Sequence, residues 1–329
     1  MGAFEAVSAK TVVAAVVLVG VVAVGGATLF AGGDTGAAID QVPSGVDTVV
    51  RLDMTITNDR ATQLLALAGG ASVPGGGSDN ASGFRATFEN QTGIDAQQAD
   101  EIVVFSAVND SVSSNTTYVG AILHTDASTD AAVAGVQNTT STAYAEQTVS
   151  GQRVYAPTNG TGYWVGVLGD GQIVVGTQAA VTDTVGVTAG AAESFGGPLR
   201  TAYDGTRNGT VRFATTSPDV LLPPDAAFVT NVQLYRDLQA VGGAYYLDGS
   251  RTGVEVQLRT NNANNAQSVA QATNGTAAIL RNSLENETAI EAVNAVEIDQ
   301  QGSTVTVSYE AQFGEFQRVF RYAYGVQGS

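Results

Sequence analysis

The sequence predicts an α+β fold preceded by one apolar helix, and three observations lead there. Thr11 to Phe30 is a run of twenty uncharged residues, mostly Val, Ala and Gly. Downstream, short stretches alternate apolar and polar residues and are broken by Asp-Gly and similar turn signals, the mark of antiparallel hairpins. Between them lie stretches whose apolar residues recur at spacings of three and four, the stripe of an amphipathic helix. Hairpins followed by such helices predict antiparallel sheets with helices packed on one side, arranged as two related units.

Taken in order, residues 1–33 read as a short stub and a transmembrane helix. At 1.5 Å per residue the run from 11 to 30 spans about 30 Å, the thickness of a hydrocarbon core. Lys10 precedes the run while Asp34 and Asp40 follow it, which predicts a cytoplasmic N-terminus and an external bulk. A cleaved signal peptide is the alternative, with "GGATLFAGG" as the place for a cleavage site, and a buried core helix is a third reading. Ala23 and Ala27, four apart, offer a small-residue surface for pairing two such helices.

Residues 34–44 are a spacer, and 45–217 form the first predicted unit. In "VVRLDMTI", Leu52, Met54 and Ile56 alternate with Arg51, Asp53 and Thr55, predicting a strand with one wet face. "NDRATQLLALA" reads as a helix capped by Asn58, and Phe84, Ala86 and Phe88 as a further strand. "EIVVFSAV" and "TTYVGAILHT" are apolar enough for central strands, and "TDASTDAAVAGVQ" suits a helix with an Asp or Ser cap. "TGYWVGVLGDGQIVVGTQ" is a hairpin about Asp170-Gly171, followed by an exposed helix in "TQAAVTDTVGVTAG", a helix in "PLRTAYDG" and a strand in "TVRFATT". Three prolines within "SPDVLLPPDAAF" mark residues 218–225 as a connector.

The second predicted unit, 226–324, opens with a helix in "AAFVTNVQLYRDLQ". A hairpin then turns near Asp248-Gly249 with Val254, Val256 and Leu258 on one face. Residues 264–284 carry a helical stripe through Val269, Thr273, Ala277, Leu280 and Leu284, which Asn274-Gly275 is positioned to divide. A second hairpin turns at Gln301-Gly302, and "FGEFQRVFRYAYG" gathers Phe316, Val319, Phe320 and Ala323 on a last helix, with 325–329 as a tail.

Composition bounds the function. The chain has 31 acidic and 14 basic residues, a net charge of −17, and lysine does not recur after Lys10. That pattern resembles proteins of extremely halophilic archaea, and the resemblance implies a surface shaped by brine; an ordinary acidic exported domain is the alternative. A binding face for nucleic acid needs clustered Lys or Arg, and no such cluster exists, so nucleic acid is excluded as a partner. The absence of cysteine removes disulfides, thiolate nucleophiles and iron–sulfur ligation. Nine N-x-Ser/Thr sequons are candidate glycosylation sites: Asn80, Asn90, Asn109, Asn115, Asn138, Asn159, Asn208, Asn274 and Asn286. Around the first hairpin, Gly151, Val154, Tyr155, Val175, Gly176, Thr177 and Val181 form a "G-x-x-V-Y" and "V-G-T-x-x-x-V" pattern that resembles uncharacterised extracytoplasmic α+β proteins. That likeness implies an α+β module and brings no catalytic residues.

Chemistry is sparse. His124, the sole histidine, stands near Asp126, Ser128 and Asp130, yet no Gly-x-Ser-x-Gly elbow accompanies it, so no catalytic residue is assigned. Zinc would have one histidine and carboxylates only, and neither Asp126 with Asp130 nor Asp248 with Glu255 matches a calcium loop; no metal or cofactor is predicted. Aromatics gather late in the chain, where core packing is the leading reading and a binding surface with Tyr322 and Tyr324 as its candidates is the alternative. The sequence thus predicts a single-pass membrane protein at the cell surface, with a halophilic ectodomain for binding or envelope architecture. Its predicted partners are the lipid bilayer through residues 11–30, a membrane or envelope protein, and a second copy through the span. The alternatives are an anchored carboxylate-dependent hydrolase and an accessory subunit of a membrane complex; an enzyme is the less favoured class.

Overall fold

The computed structural model describes residues 38–53, 99–107, 118–125, 128–140, 142–169, 171–217, 238–284 and 286–324. They fall into two units that divide between Gly197 and Pro198. The predicted helix at Asn58, the strand at Phe84–Phe88, the connector 218–225 and the helix predicted from 226 up to residue 237 all lie outside the described residues.

The N-terminal unit contains β1 (Thr48–Asp53), β2 (Ala99–Ala107), β3 (Tyr118–Thr125), α1 (Thr129–Thr140), β4 (Tyr144–Val149), β5 (Gln152–Pro157), β6 (Trp164–Gly169), β7 (Gln172–Gly176) and α2 (Gln178–Thr188). Its strands run in the order β1-β2-β3-β7-β6-β5-β4, and each neighbouring pair is antiparallel. After three strands the chain therefore crosses by α1 to the far edge and returns strand by strand to β3. The Ser128 hydroxyl starts α1 by accepting the Ala131 N–H at 3.2 Å. "AEQTVSGQRVYAP" makes two strands, because Ser150 and Gly151 both take positive φ, 48° and 81°, the twist a two-residue hairpin requires.

Helices cover both faces of this sheet, which corrects the prediction of helices on one side. Val133 and Val136 of α1 pack on Tyr155, Val165 and Val167, together with Tyr144 and Val175. On the opposite face, Gly166 of β6 lies beneath Val181 and Val185 of α2. The helix predicted to be exposed thus buries Ala180, Val181 and Val185. With both faces covered, β1 has no wet side, and Val49, Val50, Arg51 and Leu52 are all buried.

The C-terminal unit contains α3 (Gly197–Gly205), β8 (Val211–Thr215), β9 (Ala240–Asp248), β10 (Arg251–Arg259), α4 (Ala263–Ser283), α5 (Glu287–Asn294), β11 (Val296–Gln301), β12 (Thr304–Gln312) and α6 (Phe313–Tyr324). Its antiparallel order is β8-β9-β10-β12-β11. Three strands are again followed by a helical crossing to the far edge and a return to the third strand. On one face Val254, Val256, Leu258, Val305 and Tyr309 are buried, and α6 sets Phe316 against the rings of Tyr245 and Tyr309, with centroids 5.9 and 5.7 Å away. On the other face α3 reaches Gln257 of β10, whose amide donates to the Gly205 carbonyl. Asn274-Gly275 does not divide α4: Thr273 donates to the Val269 carbonyl and the Asn274 amide to that of Ala270, both bonds continuing along one helix.

Among the described residues no helix is long and apolar enough to cross a membrane. The longest, α4, has 21 residues but carries Asn, Gln and Thr along its length and Arg281 in its last turn, and it packs on β11 and β12. The predicted single-pass topology is corrected accordingly. With it go the cytoplasmic N-terminus and external bulk, the cell-surface function built on them, the bilayer contact through residues 11–30 and pairing through Ala23 and Ala27. Residues 11–30 themselves lie outside the described residues.

Candidate functional site

Strand register lines up polar side chains on one face of the N-terminal sheet. Asp53 of β1 lies opposite Glu101 of β2, Glu101 opposite His124 of β3, and His124 opposite Gln172 of β7. Arg51 stands two residues from Asp53 on the same face, because side chains alternate along a strand. Its Nε donates to Glu101 Oε1 at 2.5 Å, and the two side chains are 3% and 0% exposed. At the other end Gln41, in a short 3-10 turn (Ile39–Gln41), donates from Nε2 to Gln172 Oε1 at 2.8 Å. Arg51, Glu101, His124, Gln172 and Gln41 thus form a polar seam crossing four strands. Two of its atoms, Gln41 Oε1 and His124 Nδ1, are buried without a hydrogen-bond partner among the described residues.

The seam decides what His124 can do. A hydrolytic histidine needs a nucleophile on one side and a carboxylate orienting it from the other. Its cross-strand neighbours are Glu101, already joined to Arg51, and the carboxamide of Gln172. The adjacent Thr125 side chain points to the opposite face of the strand. Of the acids predicted near His124, Asp126 lies outside the described residues and Asp130 sits in the first turn of α1. Sequence reading missed Arg51, Glu101, Gln41 and Gln172. The pair carries no local signal: Arg51 alternates with Asp53 and Thr55 as on a half-wet strand, and Glu101 follows Asp100 at the start of its apolar run.

The polar face of the C-terminal sheet holds a charge network around Arg207. Its guanidinium pairs with Asp248 at 3.0 Å, lies 3.8 Å from Glu310 and stacks 4.0 Å from the centroid of the Tyr246 ring. Its backbone N–H donates to Glu255 at 3.3 Å, and Arg251 also pairs with Glu310. Tyr246 donates its hydroxyl to Glu310 at 3.1 Å; burial, and then the nearby Glu310 charge, push that phenol above its ordinary pKa. Asp248 and Glu255, weighed above as calcium ligands, are thus both engaged by Arg207. Among the described residues no three His, Cys, Asp or Glu side chains gather closely enough to hold a metal ion.

Of the sequons, Asn80, Asn90, Asn109 and Asn115 lie outside the described residues. Asn138 is exposed on α1 and Asn274 on α4. Asn208 accepts from Arg212, and Asn286 caps α5 by accepting the Ala289 N–H at 3.1 Å. Asn159 stands in the exposed loop between β5 and β6, bonded only to the Thr161 N–H among the described residues. Tyr322 and Tyr324 belong to α6, and their side chains lie outside the description.

Fold and seam together define an antiparallel α+β protein. No family model matches the chain. No curated protein matches it either. Among solved structures it is similar to TP0453 in crystal form III, at 10% identity and a TM-score of 0.46, over 87% of this chain and 98% of that one. Crystal forms I and IV of TP0453 give 11% and 10% identity and TM-scores of 0.43 and 0.45, each over 88% of this chain and over 98% and 96% of theirs. The resemblance is a weak one between α+β folds at low identity, and it transfers no function.

Proposed function

We propose that this chain is a salt-adapted binding protein and not a catalyst. The observation that carries the salt adaptation is the charge composition: a net charge of −17, with no lysine after Lys10. Self-repulsion on that scale disfavours a compact state in dilute buffer. Raising ionic strength from about 0.1 M to about 1 M shortens the screening length from about 10 Å to about 3 Å and removes most of the penalty. Short-stemmed Asp, Glu and Thr also leave less hydrocarbon in contact with a concentrated electrolyte than lysine would. Resemblance in composition to proteins of halophilic archaea supports the same reading. The seam argues against a histidine triad, since the carboxylate beside the sole histidine is committed to an arginine.

A KCl series tests this. The urea midpoint rises steadily from about 0.1 M to about 2 M KCl as repulsion is screened. A midpoint that stays flat or falls across that range would refute the adaptation.

A further inference from the structure

Among the described residues the C-terminal sheet ends at β11, which takes backbone hydrogen bonds from β12 on one side only. Natural edge strands are blunted by bulges, by charged side chains in general, and above all by lysine and proline. Here "VEIDQQ" has neither residue, and its register with β12 is unbroken from Val296 to Gln301. The strand is two-sided. Val296 and Ile298, both half-buried, continue the row that holds Tyr309 and Val307 on the helix-covered face. Glu297 and Asp299, both exposed, continue the row of Ser308 and Thr306 on the polar face, and no ion pair engages either among the described residues.

We propose that β11 is a docking edge for an extended peptide segment that alternates apolar and basic residues and adds to the sheet as a further antiparallel strand. The backbone supplies affinity through ladder hydrogen bonds, and the alternating side chains supply selectivity. Apolar residues of the incoming strand extend the Val296 and Ile298 row. Arginine or lysine falls opposite Glu297 and Asp299, the favourable cross-strand combination. A second copy of this chain is the poorer occupant, because antiparallel self-pairing about Ile298 sets Glu297 against Asp299 twice over. The edge strand of the N-terminal sheet, β4 ("YAEQTV"), lacks the pattern: four central positions are exposed and only Glu146 is charged.

This deepens the binding reading by naming a partner chemistry, and it is tested separately from salt adaptation. The full chain is titrated with a short labelled peptide alternating valine and arginine, at the lowest KCl concentration that keeps it folded. Fluorescence anisotropy is followed together with amide hydrogen exchange. The expected result is saturable binding with new protection confined to residues 296–301. A scrambled peptide of the same composition, a valine–glutamate peptide and a backbone N-methylated version each bind at least about tenfold more weakly. Glu297→Arg with Asp299→Arg, both at exposed positions, reverses the preference between the arginine and glutamate peptides. Equal binding of the scrambled peptide, indifference to N-methylation, protection elsewhere, or dimerisation through this edge would each overturn the proposal. All of these leave the KCl result untouched.

Discussion

At the scale of single residues, the most consequential choice is the ion pair between Arg51 and Glu101, both removed from solvent. Desolvating two charges costs several kcal/mol per ion, so the pair stabilises only as a pair. Glu101→Gln strands a buried guanidinium and is expected to cost about 3–5 kcal/mol. Replacing both partners, Arg51→Met with Glu101→Leu, recovers most of that loss, because well-packed apolar side chains suffer no desolvation. Urea titration of the three variants in molar KCl checks the ordering. A single variant no less stable than the double would show that the seam is not an energetically coupled unit. His124, by contrast, was the residue the sequence pointed to first, and the structure makes it a neighbour of this pair.

At the scale of elements, three cross-strand positions share one device. Phe105 faces Gly120, Phe213 faces Gly243, and Tyr246 faces Gly253, each pair in register on adjoining strands. In every case the ring lies where a Cβ on the glycine would stand. The glycine weakens its own strand, and the ring laid across it restores buried apolar surface. Gly120→Ala and Gly243→Ala are therefore expected to destabilise by about 1–3 kcal/mol through overpacking. Gly249→Ala, at an open turn, acts only through its positive φ of 59°. Thermal unfolding of the three separates the causes: Phe105→Leu in the Gly120→Ala background relieves the first variant, and no change of ring relieves the third.

The same elements show why some of the fold was readable. Hairpins at Gly171, Gly249 and Gln301-Gly302 announce themselves locally, by a turn dipeptide between alternating runs. So does α4, whose stripe through Val269 and Ala277 is a property of spacing alone. What could not be read is non-local. The return of β7 to β3 and of β12 to β10 is decided by which edges remain open once the crossing helices have packed. The burial of Arg51 depends on Glu101, fifty residues away, and on covering of both sheet faces. Alternation also misled directly, because it predicts a wet face wherever a polar residue recurs. At Arg51 that residue was compensated, not solvated.

At the scale of the whole molecule, burial has been extended to phenols in both units, and this sets an alkaline limit. Tyr118 is pushed above its ordinary pKa of 10 first by burial and then by the Asp183 carboxylate that accepts its hydroxyl at 3.0 Å. Tyr245 is pushed up chiefly by burial beneath α6, and Tyr309, for the same leading reason, to about 12. A raised phenol pKa means that the folded state holds its proton longer than the unfolded chain does. The contribution to stability is complete below about pH 10 and is lost as pH rises through the folded value, about 12 for Tyr309. Added salt discriminates between causes. Screening weakens the repulsion between tyrosinate and carboxylate, but it leaves the cost of burying a charge in place. In molar KCl, then, the urea midpoint is expected to hold up to about pH 10 and fall steeply beyond it, with buried phenols ionising in ultraviolet difference spectra only as the chain unfolds. If the fall disappears in concentrated KCl, Coulomb repulsion and not desolvation governs these tyrosines, and the acidic surface rather than the packed interior sets the alkaline limit.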